Sequence, residues 1–253
     1  MKKIFLLLTL ISLTFTSCED YVADINIDPN APQDADARNM IQGVMLSNQF
    51  WANSDANRLM MIWMNQATGA DRQYVALNNW NNSTATDMDG AWSEAYAGTI
   101  AQAKLTAEKA IKEGNPWLAG VAQVLQAHSQ GMVAALWGDV PFTEAAEYTK
   151  FPNPKYDGQA SVYAGVQTLL NTAITNLSKT TSVAIPSDKD IYYGGNKAQW
   201  IRLAYSLKAR FYLHVKDYPQ ANANALLGIS SPADDFKAQF GTSYGNRDRK
   251  SVV

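Results

Sequence analysis

The chain has 253 residues, 47% of them hydrophobic and 17% charged, and its formal net charge is −2. This length and composition allow one substantial hydrophobic core and exclude a disordered or collagen-like chain. Because the chain is mildly acidic, it has no electrostatic reason to bind nucleic acid or an anionic lipid surface.

The beginning of the chain predicts export. Lys2 and Lys3 precede a hydrophobic run at residues 4–15, which is typical of a secretory signal and shorter than the roughly 20 apolar residues of a stable membrane-spanning helix. Two small residues then precede Cys18, the single cysteine, as in a bacterial lipobox. This resemblance implies a signal peptide at residues 1–17 and acylation of Cys18. A plain secretory signal is the alternative.

The residues after Cys18 predict a tether to a folded domain. Glu19 and Asp20 resemble the surface-export signal of Bacteroidota lipoproteins. Residues 18–36 are expected to be extended, because two prolines in this segment disfavour helix at the residues before them. The folded domain is predicted to occupy residues 37–253.

Apolar residues spaced three or four apart predict helices through most of this domain, and no alternating pattern typical of a strand is present. The expected helices lie within residues 36–68, 92–113, 116–137, 162–177, 200–215 and 218–227. Residues 70–89 and 139–158 are expected to be loops. Helix pairs joined by short turns predict an all-α, tetratricopeptide-like α-solenoid with long irregular loops.

The polar segment around Trp80 is the predicted ligand-binding region. Trp80 is surrounded by asparagines, and Tyr74 lies close to it in the sequence. Aromatic rings stack on the C–H faces of sugars, and amides hydrogen-bond to sugar hydroxyls. The candidate ligand contacts are therefore Trp80, Tyr74, Asn78 and Asn81. The alternative is a solvated loop whose Trp80 packs into the domain.

Other tryptophans and the end of the 116–137 helix are interpreted as structural. Trp92, Trp117 and Trp200 fall on apolar helix faces and are expected in the core. At the helix end, Trp137 is expected to be buried, Gly138 to stop the helix and Asp139 to cap the turn.

Catalytic and metal-binding patterns are absent from the sequence. His128 and His214, the only histidines, lie on apolar helices and are expected to be partly buried and hydrogen-bonded. Zinc-peptidase, nucleophile-elbow and phosphate-loop motifs do not occur, so we predict no enzyme activity, metal or cofactor. Close carboxylate pairs are interpreted as solvated loop charge, with glycosidase carboxylates and calcium ligands as alternatives: Asp87 with Asp89, and Asp188 with Asp190.

Residues 135–145, ALWGDVPFTEA, resemble the most recognisable segment of the SusD/RagB family and of its SusD-like 2 branch. Three further blocks agree with the family in the same order: DINIDPN at 24–30, KYD to LLNTAI at 155–174, and YGGN to SLKAR at 193–210. Asn196 stands where the family has Asp, and Tyr205 stands where Asn is usual.

The resemblance implies a function in nutrient uptake and polysaccharide utilisation. Such proteins are lipid-anchored at the outer-membrane surface and capture starch or another oligosaccharide, or in some members a peptide. They deliver this ligand to a SusC-like TonB-dependent transporter without breaking bonds. Because family members are about twice this length, the chain is expected to be a C-terminally truncated form.

Two other classes of protein stay open at this point. One is a tetratricopeptide-type scaffold lipoprotein that binds only protein and has no glycan ligand. The other is a surface glycosidase. Aromatic rings grouped on an exposed face would favour glycan capture over the scaffold, whereas an enclosed pair of carboxyls would favour the glycosidase.

Overall fold

The computed structural model describes residues 35–79 and 84–237, and within these ranges the chain is helical without strands, as predicted. The α-helices are α1 (Ala37–Asn53), α2 (Asp55–Trp63), α3 (Gln73–Asn78), α4 (Asp89–Ser93), α5 (Ala101–Lys112), α6 (Pro116–Trp137), α7 (Gln159–Ser178), α8 (Lys197–His214) and α9 (Tyr218–Ala225). A π-helical turn, Glu94–Ile100, joins α4 to α5, and Ala85–Met88 and Pro232–Asp234 are 3₁₀ turns. Described residues from Asp36 onward belong to one compact unit.

Helix α6 is the centre of this unit. Fourteen of its 22 residues are buried, because apolar and small residues occur on all faces of this helix. It packs against α1, α5, α7 and α8, while α7 packs against α8 and α8 against α9. Each long helix from α5 onward therefore covers its neighbour in the chain, which is the packing of a helical repeat array.

The ends of α6 form where the sequence predicts them. The side chain of Asn115 accepts a hydrogen bond from the backbone N–H of Leu118 at 3.0 Å, and Pro116 occupies the first turn, where its missing N–H costs nothing. At the other end Gly138 adopts a φ of +80°, which a residue with a side chain rarely adopts. The chain therefore turns sharply into the long loop at residues 138–158.

A buried polar network connects α1 to α6. Asn48 Nδ2 lies 3.0 Å from His128 Nδ1, and the indole N–H of Trp51 donates to Ser129 Oγ at 3.0 Å. Burial, and secondarily the charge of Arg210, lowers the pKa of His128 to about 4. His128 is therefore a buried, hydrogen-bonded neutral histidine, and its predicted structural role is confirmed.

Asp190 organises the loop before α8, and its interpretation as solvated charge is wrong. Its carboxylate is buried and accepts hydrogen bonds from the backbone N–H groups of Tyr192, Tyr193 and Gly195 at 2.9–3.0 Å. The indole N–H of Trp200 donates to the same carboxylate at 2.8 Å. Four donors thus replace the water that a solvated carboxylate would bind.

The segment at residues 70–89 is more ordered than predicted. It contains the short helix α3 and the 3₁₀ turn Ala85–Met88. The backbone N–H of Thr84 donates to Asp87 Oδ2 at 2.7 Å, so Asp87 caps this turn. Such short elements depend on local caps rather than on a repeated apolar pattern, which explains why periodicity did not predict them.

Candidate functional site

The predicted ligand segment is described in part. Tyr74 and Asn78 both lie on α3, four residues apart, so they share one face of that helix. Tyr74 is half-buried and Asn78 is exposed, with Asn78 Oδ1 accepting a hydrogen bond from the N–H of Gly69 at 3.4 Å. Trp80 and Asn81 lie outside the described residues, as does Cys18, so these assignments stay predictions.

Tyr74 lines a surface depression of about 260 Å³ between α2, α3 and the 3₁₀ turn at residues 85–88. Asp55, Arg58 and Asp87 also line it, and Arg58 forms an ion pair with Asp55. Burial, followed by the charge of Asp55, raises the pKa of nearby Glu94. The depression therefore combines an aromatic ring with several hydrogen-bonding groups.

Four aromatic residues form a second surface feature, called here the ring cluster: Trp92, Tyr96, Trp137 and Tyr156. The ring centroid of Trp92 lies 4.6 Å from that of Tyr96, 5.3 Å from that of Trp137 and 6.3 Å from that of Tyr156. Trp92 and Tyr156 are stacked, with an angle of 20° between their planes. Tyr156 is 66% exposed, so this cluster presents an aromatic ring to solvent.

Backbone pairing within the 138–158 loop positions Tyr156. Val140 and Asp157 form an antiparallel bridge with N···O distances of 3.1 and 3.0 Å. The Asp157 carboxylate accepts bonds from the N–H groups of Phe142 and Thr143 at 3.0 and 2.8 Å. Burial alone raises the pKa of Asp157, but the hydrogen bonds from Thr143 and Phe142 outweigh it and the pKa falls. This ionised carboxylate therefore holds the loop that carries Tyr156.

A buried hydroxyl fixes the other side of the ring cluster. Tyr96 Oη donates to the backbone carbonyl of Pro141 at 2.8 Å. Burial, and then the neighbouring Tyr156 and Asp157, raises the pKa of Tyr96, so its hydroxyl stays protonated as the donor in this bond. This hydrogen bond thus connects the π-helical turn directly to the loop that carries the exposed ring.

The structural interpretation of residues 137–139 is correct in part. Gly138 ends α6, as predicted. Trp137 is only half-buried and belongs to the ring cluster, so its predicted burial is wrong. The Asp139 carboxylate accepts the N–H of Gln159 at 2.8 Å and so caps α7 rather than its own turn.

The remaining tryptophans divide between core and margin. Trp200 is completely buried, as predicted, whereas Trp92 and Trp117 are only partly buried. The indole N–H of Trp117 donates to the carbonyl of Lys179 at 2.7 Å, and Lys197 Nζ lies 4.0 Å from its ring centroid. An apolar stripe is wider than the strip that a neighbouring helix covers, which leaves the residues at its margin half-exposed.

No enclosed pair of carboxyls and no metal-binding cluster is found in the described part of the chain. No three His, Cys, Asp or Glu side chains are grouped there to hold a metal ion. Asp190 is the one buried carboxylate in residues 35–79 and 84–237, and it is fully hydrogen-bonded, while Asp188 pairs with Arg38 at 3.0 Å. None of the described helices is long and apolar enough to cross a membrane.

A model of one protein family matches residues 29–233; the family is SusD-like, described as starch-binding and associating with the outer membrane. No match is found among curated protein sequences. Solved structures are similar in fold, and three of them are from Bacteroides thetaiotaomicron, Bacteroides fragilis and Flavobacterium johnsoniae.

A SusD/RagB family protein of Bacteroides thetaiotaomicron is 23% identical to this chain, with a TM-score of 0.76. The matched region covers 84% of this chain and 47% of the Bacteroides thetaiotaomicron protein. A SusD homologue of Bacteroides fragilis is 19% identical, with a TM-score of 0.61, and the match covers 85% of this chain and 46% of the homologue. A chitin-binding SusD homologue of Flavobacterium johnsoniae is 16% identical, with a TM-score of 0.57, and the match covers 78% of this chain and 44% of the homologue.

These similarities confirm the predicted tetratricopeptide-like α-solenoid with irregular loops. The chain spans less than half the length of these three solved structures.

Proposed function

The chain belongs to the SusD-like family of starch-binding proteins that associate with the outer membrane, and from this premise we propose that it captures glycans at the cell surface. The captured oligosaccharide would pass to a SusC-like TonB-dependent transporter in the same membrane. Binding alone accomplishes this task, so the protein needs no catalytic residue and no cofactor. A peptide is the second class of ligand that such a protein takes.

The observation that carries this proposal is the ring cluster with its exposed member, Tyr156. Sugars present apolar C–H faces that stack on aromatic rings, while their hydroxyls need hydrogen-bond partners. Each hydrogen bond contributes only about 1 kcal/mol net, because the hydroxyl must first lose its water. Stacking on Tyr156 therefore provides contact that polar groups alone do not, and micromolar to millimolar affinity follows for so open a surface.

The segment at residues 74–82 is the second proposed contact region. Tyr74 and Asn78 share a face of α3, and Trp80 and Asn81 follow directly in the sequence. The depression beside Tyr74 adds Arg58 and Asp87 as hydrogen-bonding groups. A long oligosaccharide has separate sugar units with which to occupy this segment and the ring cluster.

We also propose that acylation of Cys18 anchors the protein. Each buried lipid CH₂ contributes about 0.8 kcal/mol, so several acyl chains hold a protein firmly on a bilayer. Glu19 and Asp20 favour the outer leaflet, where the protein would meet glycans from the medium.

A protein-binding scaffold is the alternative function, and the helical-repeat fold favours it, because such arrays present extended surfaces to partner proteins. The two functions differ in what the exposed rings do. In a scaffold they would contact a polypeptide, and no polysaccharide would retard the protein.

Affinity electrophoresis distinguishes the two functions. The purified protein is run through native gels containing starch, chitin derivatives, xylan or mannan, beside a protein that binds none of them. We expect at least one polysaccharide to retard the wild type. A Trp80→Ala variant tests the 74–82 segment, and we expect it to migrate faster than wild type in that gel. Folded wild-type protein that no gel retards would contradict glycan capture and favour the scaffold.

A further inference from the structure

A cleft opens where the end of α6, the start of α7 and the end of α8 meet. It has a volume of about 360 Å³ and is lined by Ala135, Gln159, Tyr163 and His214. The Tyr163 side chain is almost completely buried, and its hydroxyl lies 2.8 Å from His214 Nδ1. His214 is the last residue of α8 and is mostly exposed, but its ring contacts those of Tyr163 and Phe211, so its predicted hydrogen bond is confirmed while its burial is less than predicted.

Arg210 lies one helical turn before His214 on the same face of α8. Five arginines fall within residues 35–79 and 84–237, and four of them pair with a carboxylate: Arg38, Arg58, Arg72 and Arg202. Arg210 is exposed, and in these ranges no carboxylate pairs with it. Arg210 does not line the cleft itself, but its positive charge acts on two residues that do, Tyr163 and His214.

The groups around Arg210 are neutral hydrogen-bonding groups. Burial, and then the positive charge of Arg210, lowers the pKa of His214, so its ring is neutral at pH 7. We assign Tyr163 Oη as the donor to His214 Nδ1, which places the ring proton on Nε2 as a donor for a ligand. Gln159 Nε2 donates to the carbonyl of Ala134 at 2.7 Å, and its Oε1 is left to accept a hydroxyl.

We propose that Arg210 and His214 bind the carboxylate of a uronic acid unit, with Gln159 and Tyr163 contacting its hydroxyls. A guanidinium and an imidazole N–H are the donors that a carboxylate takes, and bonds to charged groups are stronger than neutral ones. This inference rests on the proposed glycan capture and specifies it: the oligosaccharide carries acidic sugar units. Neutral sugar units contact the ring cluster, and the acidic unit binds at α8.

The two histidines make this proposal measurable by proton NMR, because the protein gives only two imidazole C2–H signals. One comes from His128, which is buried, and the other from His214 in the cleft. We expect galacturonate oligosaccharides to shift the His214 signal in a saturable way and to shift the signal of the buried His128 much less. Methyl galactoside at equal concentration should shift neither signal.

The Arg210→Gln variant tests the role of the guanidinium, and we expect it to weaken galacturonate binding by about tenfold or more. Arg38→Gln is the matched control, because Arg38 is also exposed but is paired with Asp188, and its affinity should equal that of wild type. The Arg210 charge acts on His128, so the His128 signal shifts in Arg210→Gln, and a far-UV circular dichroism spectrum equal to that of wild type shows that each variant has folded. Arg210→Lys keeps the charge but loses the planar fork, so its affinity should fall between the two.

Three results would overturn the proposal: a His214 signal that galacturonate leaves unmoved, equal shifts with methyl galactoside, or unchanged affinity in Arg210→Gln. A glutamate-rich peptide that binds this cleft more tightly than galacturonate would also overturn it, because the site would then recognise polypeptide. None of these results affects retardation by a neutral polysaccharide, so the proposed glycan capture can stand if this inference fails.

Discussion

Single polar side chains hold the irregular parts of this molecule in place. Asp190 accepts three hydrogen bonds from the loop before α8 and a fourth from Trp200 of α8, and Asp157 holds the loop that carries Tyr156. Asn196, where the SusD/RagB pattern has Asp, still caps α8 by accepting the N–H of Ala198 at 3.1 Å. The amide oxygen of Asn196 accepts the hydrogen bond that an Asp carboxylate would accept, so this departure from the family pattern preserves the helix cap.

Acidification should destabilise the protein through His128. Its pKa is about 4 in the folded state and near 6.5 in the unfolded chain, so the unfolded state binds more protons between these values. The free energy of unfolding is therefore unaffected above pH 6.5 and falls as the pH drops below it, by about 2 kcal/mol at pH 5. Urea unfolding of the wild type at pH 7 and pH 5 measures this change.

The His128→Gln variant isolates this contribution. It should be less stable than wild type at pH 7, because the buried bond to Asn48 is altered, but it should lose less stability between pH 7 and pH 5. His214→Gln is the control and should retain most of the wild-type pH dependence, because His214 is far more exposed than the buried His128. Equal pH dependence in the wild type and His128→Gln would show that His128 is not the titrating group.

At the scale of elements, helix ends were predictable because capping residues mark them in the sequence. Asn115 and Pro116 begin α6, Gly138 ends it, and Asp217 caps α9 through the N–H of Gln220 at 3.2 Å. The π-helical turn Glu94–Ile100 was not predictable, because its position depends on packing against α1. There Ser47 Oγ lies 3.1 Å from Thr99 Oγ1, a contact between residues distant in sequence.

Close helix packing predicts opposite effects of alanine at two helical glycines. A Cβ at Gly131 of α6 would collide with the ring of Phe211 of α8, which is completely buried and has no room to move. Gly131→Ala should therefore lower the free energy of unfolding by about 1–3 kcal/mol. At Gly43, exposed on α1, nothing lies within 4 Å of the new Cβ.

Gly43→Ala should therefore raise the free energy of unfolding by about 0.5–1 kcal/mol, because alanine loses less backbone entropy in a helix. Urea titration of both variants under the same conditions measures the two changes. A Gly131→Ala variant that is more stable than wild type would contradict the close contact between α6 and α8, and a destabilised Gly43→Ala variant would contradict the open space at Gly43.

For the whole molecule, periodicity and motifs together predicted the solenoid, because helices bury regularly spaced residues and the repeat array needs only neighbouring helices. The ring cluster was missed, because Trp92 lies on α4, Trp137 on α6 and Tyr156 in a loop. Only tertiary packing brings these rings together. The sequence contained one indication of the ring cluster, the segments at residues 137–141 and 155–157, which carry Trp137 and Tyr156. The bridge between Val140 and Asp157 joins these two segments in the fold.

The cleft lined by Gln159, Tyr163 and His214 was not predicted, for a similar reason. Its groups come from α7 and α8, and whether an arginine has a carboxylate partner is a property of the folded molecule. The apolar pattern of α8 predicted a partly buried His214, whereas this residue at the end of the helix is mostly exposed. Sequence periodicity marks which face of a helix is apolar, but it does not show where the covering helix ends.

Isothermal titration calorimetry with maltoheptaose and chitohexaose tests glycan capture at the ring cluster most directly. The wild type is compared with Tyr156→Ala and with Tyr148→Ala, a matched control because Tyr148 is 82% exposed but lies outside the cluster. We predict saturable binding of at least one oligosaccharide, equal affinity in Tyr148→Ala, and affinity about tenfold lower in Tyr156→Ala, the loss expected for one aromatic contact. Absence of saturable binding in folded wild type, or equal affinity of the two variants, would contradict glycan capture at this surface.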